Sequence, residues 1–142
     1  MIGQSILLIG VITLGTLFHR QWQSAATFII GITLLVVGGG LGIAGVRALG
    51  QNLTAYPKPR EDSTLVQHGV YQLVRHPLYS SLMFASVGWA LFRGSWTGLA
   101  AAGALVLLLH AKAIREERWL RGRYPGYGDY ERRVKRYVPW LW

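Results

Sequence analysis

The residues most able to do chemistry in this sequence are basic, aromatic and acidic side chains in two short runs, Arg75-His76-Pro77-Leu78-Tyr79 and Glu116-Glu117. The residues between the runs are apolar and predict one helical hairpin, which should bring both runs to the same end. Charged groups near a bilayer are costly, so they are functional candidates. Arg75, His76 and the free N–H groups of a helix starting at Pro77 suit an anion. Glu117 and nearby aromatic faces suit a cation.

Charge-free segments predict an all-α polytopic membrane protein. Asp, Glu, Lys and Arg are absent from residues 1–18, 21–46, 76–92 and 94–111. A membrane-spanning helix needs about 17–25 mostly apolar residues. We therefore predict a single membrane domain, residues 1–142, with four transmembrane helices near 3–18, 24–46, 77–92 and 95–112. A signal peptide is the alternative for the first segment, although a positive n-region is missing.

The positive charge is distributed unevenly and predicts the topology. Of fifteen Lys and Arg residues, only Arg20 and Arg93 lie in the two short turns. The others lie in the 47–76 loop, at the foot of the last helix and in the 113–142 tail. Excess Lys and Arg marks the cytoplasmic side, so both termini should be cytoplasmic, in the inner membrane if the source is bacterial. Tail arginines should also contact anionic membrane lipids, and a nucleic-acid partner is not expected despite the net charge of +9.

Several other chemistries lack suitable residues. The sequence has no Cys, so thiolate catalysis and Cys-ligated metals are excluded. The histidines lie on different segments without metal-site spacing, so we expect no metal, and His110 is expected to be a packing residue. Gly40, Gly42 and Gly45 match the dinucleotide fingerprint, but no strand precedes them. Close packing of membrane helices through small residues such as Gly38 and Gly42 is the better interpretation.

The full pattern resembles a known family. It comprises Gly69-Val70-Tyr71-x-x-Val74-Arg75-His76-Pro77-x-Tyr79, the apolar hairpin, Glu116-Glu117-x-x-Leu120, and then Tyr124, Tyr127, Tyr130, Val134 and Pro139. This pattern, over about residues 45–140, resembles the isoprenylcysteine carboxyl methyltransferase family, within the integral-membrane methyltransferases that include phospholipid N-methyltransferases. Membrane sterol and steroid reductases carry a similar Arg-His-Pro motif. An NADPH-dependent reductase is therefore one alternative, and a non-enzymatic membrane scaffold is another.

The resemblance implies S-adenosylmethionine as the cofactor and a lipophilic or small molecule as the methyl acceptor. It implies that Gln67, His68, Gly69 and Tyr71 line the cofactor entry. It also implies that Arg75, His76 and Tyr79 hold the amino-acid end and ribose, and that Glu116 and Glu117 complete the site. Arg75 and Glu117 are the expected catalytic residues. Ser81 stands where the family often has Gly, which is expected to bear on cofactor fit. A prenylated cysteine, a lipid amine, a small thiol and an isoprenoid acid all stay open as acceptors.

Overall fold

The protein is described by a computed structural model that covers residues 2–22, 24–50 and 64–139. In these residues the fold is helical, and the expected all-α class is confirmed for them. The elements are α1 (Ile2–Leu17), α2 (Ala25–Leu49), a 3₁₀ helix (Gly69–Gln72), α3 (Pro77–Arg93), α4 (Trp96–Arg123) and α5 (Tyr127–Arg133). The centre of the predicted 47–76 loop, residues 51–63, and the end of the predicted tail, residues 140–142, lie outside the described residues.

Two of the helices are long and apolar enough to cross a membrane. They are α2 and α4, whose most apolar stretches of 18 residues have mean hydropathies of 2.3 and 1.7. Helix α1 is apolar but has only 16 residues, and α3 has 17. The four predicted helices are therefore present, whereas the prediction that all four span a membrane stays a prediction.

Helix α4 is longer than a bilayer requires. Its 28 residues extend about 42 Å at 1.5 Å per residue, compared with about 30 Å for the hydrocarbon core. The residues up to 111 are apolar, and Lys112 begins a charged extension that continues to Arg123. Buried residues at helical spacing, Leu105, Leu109 and Ala113, form one face. That face ends in the extension at the buried Glu117.

Glycines bring α2 and α3 into close contact. A Cβ placed on Gly31 would lie 2.6 Å from the backbone nitrogen of Phe92, and one on Gly38 would lie 2.9 Å from the carbonyl oxygen of Ser81. A Cβ on Gly42 would lie 2.7 Å from Ser81 Oγ. The interpretation of Gly38 and Gly42 as helix-packing residues is confirmed, whereas a Cβ on Gly40 would have nothing within 4 Å. Ser81 contacts α2 through its side chain.

The turn between α3 and α4 makes the hairpin antiparallel. Gly94 ends α3 in the left-handed region with φ of 61°, where a glycine has no Cβ penalty. Ser95 follows as the N-cap of α4, and its side-chain oxygen accepts a hydrogen bond of 3.1 Å from the Gly98 N–H. The start of α3 and the charged extension of α4 therefore lie at the same end of the bundle.

The C-terminal segment folds back onto that end. Val74 and Lys135 form an isolated parallel β-bridge, and the Arg75 N–H donates to the Lys135 carbonyl at 2.8 Å. Tyr127 and Tyr130 pack with Val134 in a buried cluster. Tyr137, which follows basic residues that were expected to contact lipid, is also a buried core residue.

Candidate active site

A buried carboxylate, Glu117, lies at the centre of the candidate site. Its side chain is only 1% exposed. Its Oε1 lies 3.1 Å from Arg75 Nη2, 3.1 Å from His76 Nε2 and 3.0 Å from Arg136 Nε. Its Oε2 accepts from Arg136 Nη2 at 2.6 Å. Both carboxylate oxygens are thus held by charge-assisted hydrogen bonds, which are the strong ones in proteins.

Three separate parts of the chain bring these groups together. Glu117 is supplied by α4. Arg75 and His76 immediately precede Pro77, the first residue of α3. Arg136 is placed by the tail, because the His76 N–H donates to the Arg136 carbonyl at 3.1 Å. The geometry of the cluster therefore depends on a backbone contact between segments that are far apart in sequence.

The charge state of Glu117 follows from its partners. It lies in the charged extension of α4, beyond the apolar part of that helix. Burial would raise the pKa of the Glu117 carboxyl, but hydrogen bonds from His76 and Arg136 and the nearby charge of Arg75 outweigh burial and lower it to about 2. Glu117 is accordingly a carboxylate at physiological pH.

Arg75 has a second acidic partner in α5. Its Nη1 lies 3.2 Å from Glu131 Oε1 and also donates to the Glu131 carbonyl at 3.2 Å. Glu131 in turn accepts from Arg121 Nε and Nη2 at 2.7 Å and 2.6 Å. The hydrogen bonds from Arg121, together with the charges of Arg75 and Arg121, lower the pKa of Glu131 against the opposing effect of burial. A chain of alternating charges thus connects α4, α5 and the start of α3.

A second acidic group lies beside the first. The Tyr79 hydroxyl donates to Glu116 Oε2 at 2.9 Å. The Tyr79 ring is stacked on the His76 ring, with centroids 5.3 Å apart and an interplanar angle of 8°. Lys112 Nζ lies 5.3 Å from the centroid of the Tyr79 ring, within the range of a cation–π contact. Glu116 is only partly buried, so this carboxylate is more accessible than Glu117.

Tyrosines and a serine form hydrogen bonds that hold together the segments around the cluster. The Tyr130 hydroxyl donates to the Tyr71 carbonyl at 2.7 Å, which ties α5 to the 3₁₀ helix. Ser80 Oγ donates to the Tyr137 carbonyl at 2.9 Å. Tyr137 lies with its hydroxyl 3.2 Å from His110 Nδ1, and burial raises the pKa of Tyr137 to about 12. The Tyr137 hydroxyl is therefore protonated at physiological pH.

The structure brings most of the predicted residues together. Six of them meet in or beside one cluster: Tyr71, Arg75, His76, Tyr79, Glu116 and Glu117. The other three, Gln67, His68 and Gly69, lie on the segment that leads into it, where His68 and Gly69 are exposed. Sequence reasoning anticipated neither Arg136 nor Glu131 as a partner. It had assigned the tail cations to lipid headgroups, and no local pattern distinguishes these two residues from their neighbours.

A site of this kind, at the end of apolar helices, agrees with the comparison to known families. The family model for phospholipid methyltransferases matches residues 26–126. That range contains α3, α4 and every predicted site residue. The chain therefore belongs to the phospholipid methyltransferase family, and the resemblance seen in the sequence is confirmed.

The similar curated proteins carry two kinds of name. The chain is 32% identical over 117 residues, 78% of its length, to protein-S-isoprenylcysteine O-methyltransferase B of Arabidopsis thaliana. It is 32% identical over 138 residues, 96% of its length, to the nickel-cobalt-cadmium resistance protein NccN of Alcaligenes xylosoxydans xylosoxydans. It is 30% identical over 124 residues, 87% of its length, to the cobalt-zinc-cadmium resistance protein CzcN of Cupriavidus metallidurans. The aligned part covers 56% to 61% of these relatives.

Proposed function

We propose that this protein is an integral-membrane methyltransferase that uses S-adenosylmethionine and acts on a lipophilic or small acceptor. The observation that carries the proposal is the cluster of Arg75, His76 and Glu117 at the charged end of the α3–α4 hairpin. Family membership supports the reaction class. The similarity to isoprenylcysteine methyltransferases supports it further, and these comparisons do not favour a reductase or a scaffold.

The cluster has unused hydrogen-bonding capacity that fits such a cofactor. Arg75 Nε and the Tyr127 hydroxyl are buried and have no hydrogen-bond partner in the described part of the chain. An unsatisfied buried donor is destabilising by about 1–3 kcal/mol. A ligand group that accepts a hydrogen bond from such a donor removes this penalty, and ligand binding is therefore favoured. The amino-acid end of S-adenosylmethionine carries a carboxylate for the arginines and an ammonium for the acids.

The contacts indicate different roles for the two acids. Glu117 already accepts from Arg75, His76 and Arg136, so we assign it to positioning these donors. Glu116 accepts from the Tyr79 hydroxyl and is better placed to accept from an ammonium. Arg75 would bind the carboxylate. This assignment refines the prediction from sequence, in which Glu117 and Arg75 were expected to bind opposite ends of the ligand.

The chemistry requires little covalent help from the protein. S-adenosylmethionine, when bound, supplies a methyl group activated by a sulfonium. The residues of this chain would orient the reactants, because in-line displacement needs the reacting atoms about 3–3.5 Å apart. They would also exclude water, which strengthens the electrostatic interactions within the site. A lipophilic acceptor could enter laterally between the apolar helices. In the proposed topology the chain spans the membrane four times, and both of its termini lie on the cytoplasmic side.

Calorimetric binding of S-adenosylhomocysteine to the detergent-purified protein tests this function, with NADPH as the control ligand. We expect micromolar binding of the first and none of the second. Arg75→Lys keeps the charge but loses the planar fork, and Tyr79→Phe removes only the hydroxyl on Glu116. Arg75→Lys should weaken binding about ten-fold or more, as expected for a lost charge-assisted contact. Tyr79→Phe should weaken it by less, because it removes only the hydroxyl that positions Glu116.

The control is Arg115→Gln, which removes an exposed cation next to Glu116 on α4 and should bind like the wild type. Circular dichroism would establish that every variant is folded. Binding of NADPH alone would contradict the proposed methyltransferase function and indicate a reductase. Binding of neither ligand to a folded protein would favour a non-enzymatic role.

A further inference from the structure

The end of the bundle opposite the candidate active site is built from two turns that hold each other. The Arg20 N–H donates to the Arg93 carbonyl at 2.8 Å, and the Gln21 N–H donates to the Gly94 carbonyl at 2.9 Å. Gln21 Oε1 accepts from the Trp96 N–H at 2.7 Å. We call this region the double-turn end, defined by residues 18–22 and 93–96. Because the backbones of the two turns are hydrogen-bonded, the residues they carry start from fixed relative backbone positions.

A pocket of about 440 Å³ lies at the double-turn end. This volume is within the range of about 300–1,000 Å³ typical of small-molecule sites. Its lining combines two cations with aromatic groups: Arg20, Arg93, His19, Trp22, Phe28 and Phe92. Arg20 has a φ of 59°, a left-handed conformation that is costly for a residue other than glycine and tends to persist at functional sites.

The arginines of this pocket have no acidic counterpart nearby among the residues that the structure describes. The sequence contains no Asp or Glu in residues 1–60 or 63–115. The acids that the structure describes lie at the other end of α4, roughly 30 Å away at 1.5 Å per residue. Arg93 Nε is buried without a hydrogen-bond partner among the described residues, while its guanidinium lies 5.6 Å from the Trp89 ring centroid. Two cations beside a cavity, without carboxylates, form a site for an anion.

Aromatic residues indicate where that anion comes from. The rings of Trp22 and Trp96 are in contact, with centroids 4.4 Å apart, and those of Phe28 and Phe92 are 5.1 Å apart. Tryptophans at the ends of apolar helices are typical of the headgroup level of a membrane. We propose that this pocket binds the phosphate of an anionic phospholipid, with Arg20 and Arg93 as its ligands. A zwitterionic headgroup is disfavoured because its cationic group would lie beside two arginines and be repelled by them.

The test is a titration of the detergent-purified protein with short-chain phosphatidylglycerol, followed by native mass spectrometry. Short-chain phosphatidylcholine and glycerol 3-phosphate are titrated in parallel. Arg20→Gln and Arg93→Gln should each weaken phosphatidylglycerol binding about five- to ten-fold, as expected for the loss of one cation at a headgroup. Arg20→Lys and Arg93→Lys keep the charge and should retain most of the binding, which controls for folding.

Arg115→Gln removes the same charge at the other end of the protein and should weaken phosphatidylglycerol binding much less than Arg20→Gln or Arg93→Gln, because a surface cation contributes only non-specific attraction. Equal binding by the two Gln variants and the wild type would overturn the site. Equal affinity for phosphatidylcholine would overturn the preference for an anionic headgroup. Glycerol 3-phosphate binding as tightly as the lipid would identify a soluble phosphate ester instead. The readout is lipid binding rather than turnover, so its outcome is independent of the methyltransferase assignment.

Discussion

Replacing Glu117 by Gln should destabilise the protein more than any conservative change at its surface. The carboxylate is 1% exposed and lies within hydrogen-bond distance of Arg75, His76 and Arg136. Gln keeps the shape but removes the negative charge, and its amide would direct N–H groups at a guanidinium. Breaking a buried ion pair by removing one partner costs about 3–5 kcal/mol, because the other charges stay buried and unpaired.

The pKa of Glu117 supports the same magnitude. A fall from the ordinary value of 4.5 to about 2 corresponds to about 3 kcal/mol of stabilisation by linkage. Because the folded-state pKa is the lower one, this contribution is complete above pH 4.5 and is lost as the pH falls towards 2. The stability difference between wild type and Glu117→Gln should therefore be largest near neutral pH and shrink in acid.

Thermal unfolding in detergent, followed by circular dichroism, measures this difference. The double variant Glu117→Gln/Arg136→Gln should lose less stability than the sum of the two single variants, because it removes both members of the pair. Arg115→Gln should unfold like the wild type. If Glu117→Gln lay within about 0.5 kcal/mol of the wild type, the range of ordinary surface substitutions, the buried-carboxylate argument would fail.

Two further substitutions test the packing of α2 on α3 and the contact between α5 and the 3₁₀ helix. Gly31→Ala should lower the unfolding temperature, because its Cβ would lie 2.6 Å from the Phe92 nitrogen and overpacking costs about 1–3 kcal/mol. Gly39→Ala is the control, because a Cβ there has nothing within 4 Å. Equal effects of the two substitutions would contradict the close packing at Gly31. Tyr130→Phe should cost about 1 kcal/mol through loss of the hydrogen bond to the Tyr71 carbonyl and weaken S-adenosylhomocysteine binding. An unchanged melting curve and affinity would show that this contact is dispensable.

The helices were predictable because a charge-free run of sufficient length leaves few alternatives to a helix. The predicted bounds of 77–92 for the third helix and 24–46 for the second compare with Pro77–Arg93 and Ala25–Leu49 in the structure. Pro77 marked the start of α3 because its missing N–H does no harm in a first turn. The fourth helix, predicted near 95–112, continues in the structure through charged residues to Arg123.

The core of the site was predictable from the hairpin. Two antiparallel helices joined by a tight turn place the residue before the first helix beside the end of the second. Arg75 and Glu117 therefore had to lie at the same end once the turn at Gly94 was recognised. Their direct contact, 3.1 Å between Arg75 Nη2 and Glu117 Oε1, was not predicted, because the two residues were expected to bind an anion and a cation separately.

The contribution of the tail could not be predicted in the same way. Arg136 reaches Glu117 because residues 74–76 and 135–136 pair through their backbones. Short segments paired in this way leave no hydrophobic period in the sequence. The basic residues around Arg136 suggested a lipid-facing segment with equal force. Long-range pairing, rather than local propensity, decides which tail cation enters the site.

The contacts of Glu117 change how a loss of activity should be interpreted. A carboxylate that already accepts from two guanidinium groups has little capacity left for an ammonium. Glu117 variants would therefore lose ligand binding mainly by releasing Arg75 and Arg136 from their positions. Tyr79→Phe changes only the contact with Glu116, so it is the sharper probe of an ammonium site. A defect in Tyr79→Phe, with unchanged stability, would assign the ligand's amine to Glu116.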